Sequence, residues 1–339
     1  MTDSLEIFAA VRGLPEQCRS AARAEPLGPL PPGEGISAVL LVGMGGSGVA
    51  GDITLAVAGP TCNVPMIVHK SYECPAFVGP DTLVISISFS GDTSETTEVT
   101  RAALDAGARV VVVSSGGELA EIAKDSGSAF WQVDGSIPAP RCAVAAMSLP
   151  VLLTLEALGL CEPLTGHIDA AIVQLERRRE ELSAEGNPAQ TLARRIGRTL
   201  PIVYGGGDLG TAAAVRWKSQ FNENPKVAAF MNVMPELTHN EVCGWGQHGD
   251  MTRQVFSLIQ LRHDFEHPSV VRGLELVAEI SEEIVAGVHT VAASGRGRLA
   301  QIFDLILFGD FVSLYMAFAE GIDPGPVPIL DELKAQLRL

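Results

Sequence analysis

The sequence predicts an α/β protein made of two tandem units, each a parallel sheet flanked by helices. Three observations carry this prediction. Short apolar, β-branched runs alternate with helix-like segments from Ile36 onward, the pattern of strands joined by helical crossovers. Two glycine turns share one spacing, Gly43-x-Gly45-x-x-Gly48 and Gly205-x-Gly207-x-x-Gly210, and each follows an apolar run and opens a helix, which marks an internal duplication. A chain of 339 residues, 47% of them hydrophobic and 35 of them glycine, has enough material for two cores joined by many tight turns.

Residues 1–24 have the spacing of an amphipathic helix, and EPLGPLPPGEG after it is a loop, so residues 1–35 form an N-terminal helix and loop. Buried-strand patterns follow at 36–42 (ISAVLLV), 62–69 (CNVPMIVH), 83–88 (LVISIS) and 109–114 (RVVVVS). Residues 93–106 read as a helix, and 130–133 as a fifth strand before SIPAPRCAVA. An apolar helix around 149–158 closes the first unit, residues 36–165. The second unit, 166–339, begins with a charged helical segment over 167–198, broken at Asn187-Pro188. Strand 200–204 (LPIVY), the second glycine turn and a helix through 212–222 come next. Further strands are expected at 227–230, 254–261 and 287–291, then a long apolar helix over 299–320 and a short one over 328–337.

With 24 Lys and Arg against 40 Asp and Glu, the net charge is −16, which argues against nucleic acid and anionic membrane as partners. An anionic ligand must therefore be won locally, by dipoles and a few placed cations. The six cysteines show no C-x-x-C pairing and read as reduced thiols of a cytoplasmic protein, and the N-terminus lacks an apolar signal core. The apolar stretches 143–160 and 302–319 contain Glu156, and Asp304 with Asp310, so they are expected to be buried core helices.

Residues 83–104 combine a strand, a hydroxyl-rich turn and a helix start, the arrangement that binds a small anion. Ser88, Ser90 and Thr93 supply neutral donors, and Gly91 allows close backbone approach. Taken alone, the stretch reads equally well as an ordinary capped turn. The first glycine turn carries Gly46 and Ser47, whereas the second has Leu209 at the position of Ser47, so only the first is equipped with a hydroxyl. A dinucleotide reading of these turns needs an acidic residue about 20 residues on. Val68-His69-Lys70 stands there instead, which weakens that reading although Lys70 suits a 2′-phosphate.

The GMGGSG turn, SFSGDTSET, PRCA, RWKSQFNENPK, PELTHNE and GIDPGPVPILDELK together resemble the bifunctional phosphoglucose/phosphomannose isomerase family, in that family's order and over nearly the whole chain. The resemblance implies two sugar-isomerase (SIS) domains. It implies aldose–ketose isomerisation of glucose 6-phosphate, and of mannose 6-phosphate, with fructose 6-phosphate through a cis-enediolate. It places the substrate phosphate among Gly46, Ser47, Ser88, Ser90 and Thr93. Glu223 matches the family's base, Arg141 its enediolate-facing arginine, His239 its ring-opening histidine and Lys334 its C-terminal lysine. A homodimer with interfacial active sites is implied, with His239 reaching the neighbouring subunit's site, and no cofactor or metal.

Residue chemistry on its own leaves several of these positions open. Glu223 reads also as a surface carboxylate in a solvated patch with Asn222, Asn224, Lys218 and Lys226, and Arg141 as a surface arginine at a helix start. His263 and His267 stand four apart, as a metal pair would, but a charged run ending at Pro268 is more often a turn or helix start. The family turn reads S-G-N-T where this chain has Asp92, expected to cap its own helix, and commonly has Thr at Gly325, which bears on substrate range. A non-catalytic sugar-phosphate regulator and an isomerase of a related phosphosugar are the alternatives. The first usually carries a DNA-binding module, for which no basic helix-turn-helix segment is found.

Overall fold

The alternation of apolar runs and helices folds into two parallel sheets in the computed structural model, which describes residues 2–337. The chain divides into two compact units that are discontinuous in sequence. The first holds Gly13–Leu175 and Gly295–Ile302; the second holds Glu176–Ser294, the segment up to Arg12 and the chain from Phe303 onward.

Two helices, α1 (Ile7–Arg12) and α2 (Leu14–Ala22), stand where one was expected. Gly13 separates them, and Pro15 lies in the first turn of α2, where its missing N–H removes no helical bond. The first sheet contains β1 (Ala38–Val42), β2 (Met66–His69), β3 (Thr82–Ser88), β4 (Arg109–Ser114) and β5 (Ala129–Gln132), in the order β2-β1-β3-β4-β5. Its helices are α3 (Gly45–Ala58), α4 (Ser94–Asp105), α5 (Gly117–Ser126) and α6 (Val144–Ala157). The second strand is shorter than expected: Gly59–Thr61 is a 3-10 turn, and Pro65, which has no N–H, contributes only its carbonyl, to the N–H of Val39 at 2.9 Å. Val42 pairs with His69 on one side and Ser86 on the other, so the carboxyl ends of the strands meet along one edge. All of β3 is buried, and Leu40, Val84, Val99, Val112 and Leu119 form the core beneath that edge, each side chain contributing about 1.5–3 kcal/mol by leaving water.

The chain continues through α7 (Thr165–Ser183) and α8 (Pro188–Ile196), the latter capped by Asn187, whose Oδ1 accepts from the Gln190 N–H at 2.9 Å. The second sheet has β6 (Leu200–Gly206), β7 (Phe230–Met234), β8 (Phe256–Arg262) and β9 (Gly287–Ala292), in the order β7-β6-β8-β9. Helices α9 (Gly207–Glu223), α10 (Gly249–Val255), α11 (Pro268–Ser281), α12 (Arg298–Ala319) and α13 (Pro328–Leu337) complete it. The strand expected at 227–230 begins only at Phe230, because Val227 closes the end of α9 with its N–H on the Phe221 carbonyl and its carbonyl on Asn222 Nδ2.

Helix α12 is long and apolar enough to span a membrane, but 83% of its most apolar stretch is buried inside the protein. Its two carboxylates are matched inside the second unit: Arg178 grips Asp304 at 2.8 and 2.7 Å, and Arg216 grips Asp310 at 3.1 and 2.7 Å. Bidentate pairing is what makes charges tolerable at that depth.

Candidate active site

In an open α/β sheet the ligand crevice opens where neighbouring strands send their connections to opposite sides, beyond the carboxyl ends. In the first sheet that point lies between β1 and β3, and the two loops that flank it are Gly43–Gly48 and Ser88–Thr93. The structure brings the expected phosphate ligands together here. Ser47, buried in the first turn of α3, accepts the Phe89 N–H at 3.2 Å and donates to Met147 Sδ at 3.3 Å, linking both loops to α6. Ser88 Oγ lies 2.9 Å from Thr93 Oγ1 and accepts the Gly91 N–H at 3.1 Å, while Ser90 Oγ accepts the Asp92 N–H at 3.3 Å. Gly91 has φ +81°, and a Cβ there would sit 1.8 Å from the Gly116 carbonyl oxygen, so glycine is required.

Arg141 joins the same site. It is buried in a 3-10 turn, Pro140–Cys142, and Gly46 passes so close that a Cβ would meet Pro140 O at 3.1 Å and Arg141 Cα at 3.4 Å. Its burial replaces the reading as a surface arginine. A residue that sequence reasoning missed holds this turn: Gln17 of α2 donates to the Cys142 carbonyl at 2.8 Å and accepts the N–H groups of Ala145 and Ala146 at 2.8 and 3.0 Å.

Asp92 does not cap its own helix. Its Oδ1 accepts the Glu118 N–H at 3.0 Å in the first turn of α5, so the carboxylate is committed to a neighbouring helix N-terminus. Lys70 is likewise engaged, through a 2.6 Å ion pair with Asp52 on α3, where burial pushes the Asp52 carboxyl up against the opposing pull of Lys70. The cation that suited a 2′-phosphate is tied down beside the strand it follows.

Glu223 is the last residue of α9 and is half-buried. Its polar neighbours are bonded into a frame in which Asn224 is buried, Asn222 and Lys218 are half-buried and Lys226 stays exposed. Asn224 is buried and donates to Ser313 Oγ at 2.9 Å, Asn222 donates to Val227 O at 2.9 Å, and Lys226 donates to Asp323 O at 2.9 Å. Ser313 in turn donates to the Asp310 carbonyl at 2.8 Å, so the Arg216–Asp310 pair and the end of α9 share one network.

His239 is exposed at the end of a 3-10 turn, Glu236–His239. The segment carrying it is fastened by Glu241, which accepts from the Tyr204 hydroxyl and from Asn232 Nδ2, the latter at 2.5 Å. Burial first, then the Glu241 carboxylate, pushes the Tyr204 phenol well above its ordinary range, so it stays a donor. Lys334 is exposed on α13 beside the exposed Ile329, Leu330 and Leu333. Gly325 packs on the N-terminal segment: a Cβ would meet Leu5 at 2.9 Å, so a larger residue here must displace that side chain. The two spaced histidines have separate uses. His263 Nδ1 accepts the Phe265 N–H, leaving Nε2–H to donate to Gly206 O at 2.8 Å, and His267 caps α11 by accepting the Ser269 N–H at 3.1 Å. Among the described residues no group of three or more His, Cys, Asp or Glu is placed to hold a metal ion.

A doubled parallel α/β unit with a hydroxyl-lined switch point defines a protein of the SIS class, and the comparisons agree. The family described as the bacterial phospho-glucose isomerase C-terminal SIS domain matches residues 185–337. Among solved structures, the C-terminal domain of glucosamine-fructose-6-phosphate aminotransferase from Francisella tularensis shares the fold, with a TM-score of 0.71 at 12% identity, covering 94% of this chain and 98% of that one. A bifunctional phosphoglucose/phosphomannose isomerase from Caldicellulosiruptor bescii is 33% identical, and one from Aquifex aeolicus 31%, each over 98% of both chains. The chain belongs to the bifunctional phosphoglucose/phosphomannose isomerase family.

Proposed function

We infer that the protein interconverts glucose 6-phosphate, and mannose 6-phosphate, with fructose 6-phosphate. The observation that carries this is the cradle of Ser47, Ser88, Ser90 and Thr93 at two helix N-termini, with the Arg141 turn against Gly46. Neutral donors and helix dipoles hold a phosphate dianion in an acidic protein without importing bulk positive charge. Glu223 takes the proton from C2 of the open-chain aldose and returns it at C1, while the hydroxyl proton moves from O2 to O1. Glucose and mannose 6-phosphates differ only at C2, which is planar in the enediolate, so one base serves both. Arg141 stabilises the enediolate charge, which exists only after proton removal. His239, with Lys334, moves protons at O5 and O1 during ring opening.

This reading includes a cytoplasmic homodimer with interfacial active sites. Its support is an exposed His239 on a segment fastened by Glu241, and the exposed apolar stripe of α13 next to Lys334. A coupled assay with each hexose 6-phosphate tests the activity: turnover with both substrates is expected, and inactivity with both contradicts it. Mixing Glu223→Gln with His239→Ala subunits tests the dimer, since shared sites regain activity and self-contained ones do not.

A further inference from the structure

We propose that Gln17 is a positioning residue for Arg141, acting from a helix remote in sequence. The proposal rests on the isomerase reading above, in which Arg141 faces the enediolate. Gln17 lies on α2, 125 residues from Cys142, and its amide uses both ends on the Arg141 segment. The donor end, Nε2, meets the Cys142 carbonyl at 2.8 Å, one residue past Arg141. The Oε1 end accepts the Ala145 and Ala146 N–H groups at 2.8 and 3.0 Å, two first-turn donors of α6 that no helical carbonyl can satisfy. No α6 residue does this job: the cap position is Ala143, which has no side-chain acceptor. Gln17 therefore supplies the capping acceptor of α6 from another helix.

The clamp acts where position matters. On one side of the turn, Gly46 lets the backbone of Pro140 and Arg141 approach the phosphate loop, and one turn into α6, Met147 Sδ accepts from Ser47. The turn thus has two supports, the loop on one face and Gln17 on the other. With Gln17 gone, the Cys142 carbonyl and the Ala145 and Ala146 N–H groups each lose this bond, and the turn that carries Arg141 loses one of its two supports. Displacing a charge-stabilising group by about 1 Å costs rate by up to about a hundredfold, and it costs the transition state before it costs the ground state.

Gln17→Met keeps the length and removes all three hydrogen bonds. We expect kcat to fall about tenfold with KM for glucose 6-phosphate nearly unchanged, the signature of a lost transition-state interaction. Affinity for a five-carbon open-chain aldonic acid 5-phosphate, whose carboxylate mimics the enediolate, falls by about the same tenfold factor, while competitive inhibition by inorganic phosphate stays as in the wild type. In an Arg141→Lys background the same substitution has little further effect, because positioning a missing guanidinium gains nothing. Gln17→Glu, which keeps the acceptor for the two N–H groups, recovers part of the loss and serves where Gln17→Met does not fold. A parallel fall in aldonate and phosphate affinity overturns the proposal in favour of general loosening, as does full additivity with Arg141→Lys or an unchanged kcat. Wild-type inactivity on hexose 6-phosphates removes the isomerase reading itself, and normal kcat in Arg141→Lys removes the role that Gln17 is said to support.

Discussion

The two switch points of the molecule have the same backbone and opposite contents. Val42 pairs with Ser86 in the first sheet as Tyr204 pairs with Gln260 in the second, so Ser47 corresponds to Leu209, Ser88 to Arg262 and Phe89 to His263. In the first, hydroxyls line the crevice and Ser47 meets the Phe89 N–H. In the second, Leu209 is fully buried, Arg262 pairs with Glu266 at 2.9 Å, and the His263 ring is bonded to the Gly206 carbonyl across the crevice. The duplicated fold supplies two anion sites in principle, and side chains close one of them. The second unit uses its freedom elsewhere, ending α9 in a framed carboxylate, Glu223.

Breaking the frame has the largest expected effect. Asp310→Ala removes the bidentate carboxylate that faces the buried Arg216 and should cost about 3–5 kcal/mol, measured by denaturant unfolding of the full chain. Ser47→Leu gives the first crevice the residue of the second, and KM for glucose 6-phosphate should rise about 10- to 100-fold, the range expected for hydrogen bonds to a charged group, while loss of the Phe89 N–H and Met147 contacts at this buried position should cost about 1–3 kcal/mol in thermal unfolding. A normal KM would mean that the cradle is not the phosphate site. His263→Ala opens the second crevice, leaving the Gly206 carbonyl without this partner; it should cost about 1–3 kcal/mol in thermal unfolding and create no second phosphate-binding event in calorimetry. Asp92→Ala removes the cap of α5 and should cost about 1 kcal/mol, whereas Asp92→Asn, which keeps the acceptor, should leave both stability and KM close to wild type.

Local patterns were the legible part of this chain. Buried strands such as Arg109–Ser114 and helix α13 lie where β-branched runs and periodicity put them, because each depends on neighbours in sequence. The hydroxyls of the first crevice were legible for the same reason, as they cluster on two short turns. Tertiary partnerships were not. Asp92 looked like a cap for the helix it precedes, yet its acceptor reaches Glu118 on a parallel neighbour. The bonding partners of the polar residues around Glu223 were hidden in the same way, since Ser313 and Asp323 come from the far end of the chain. Nothing near Gln17 announced its target 125 residues away.

The central claim is that holding the phosphate and moving the proton belong to different residues, and Glu223→Gln separates them. The variant should bind glucose 6-phosphate with near wild-type affinity in calorimetry while solvent-deuterium incorporation at C2, followed by proton NMR in D2O, falls about a hundred- to ten-thousandfold. Exchange at the wild-type rate would contradict the account, because another base would then be carrying the proton.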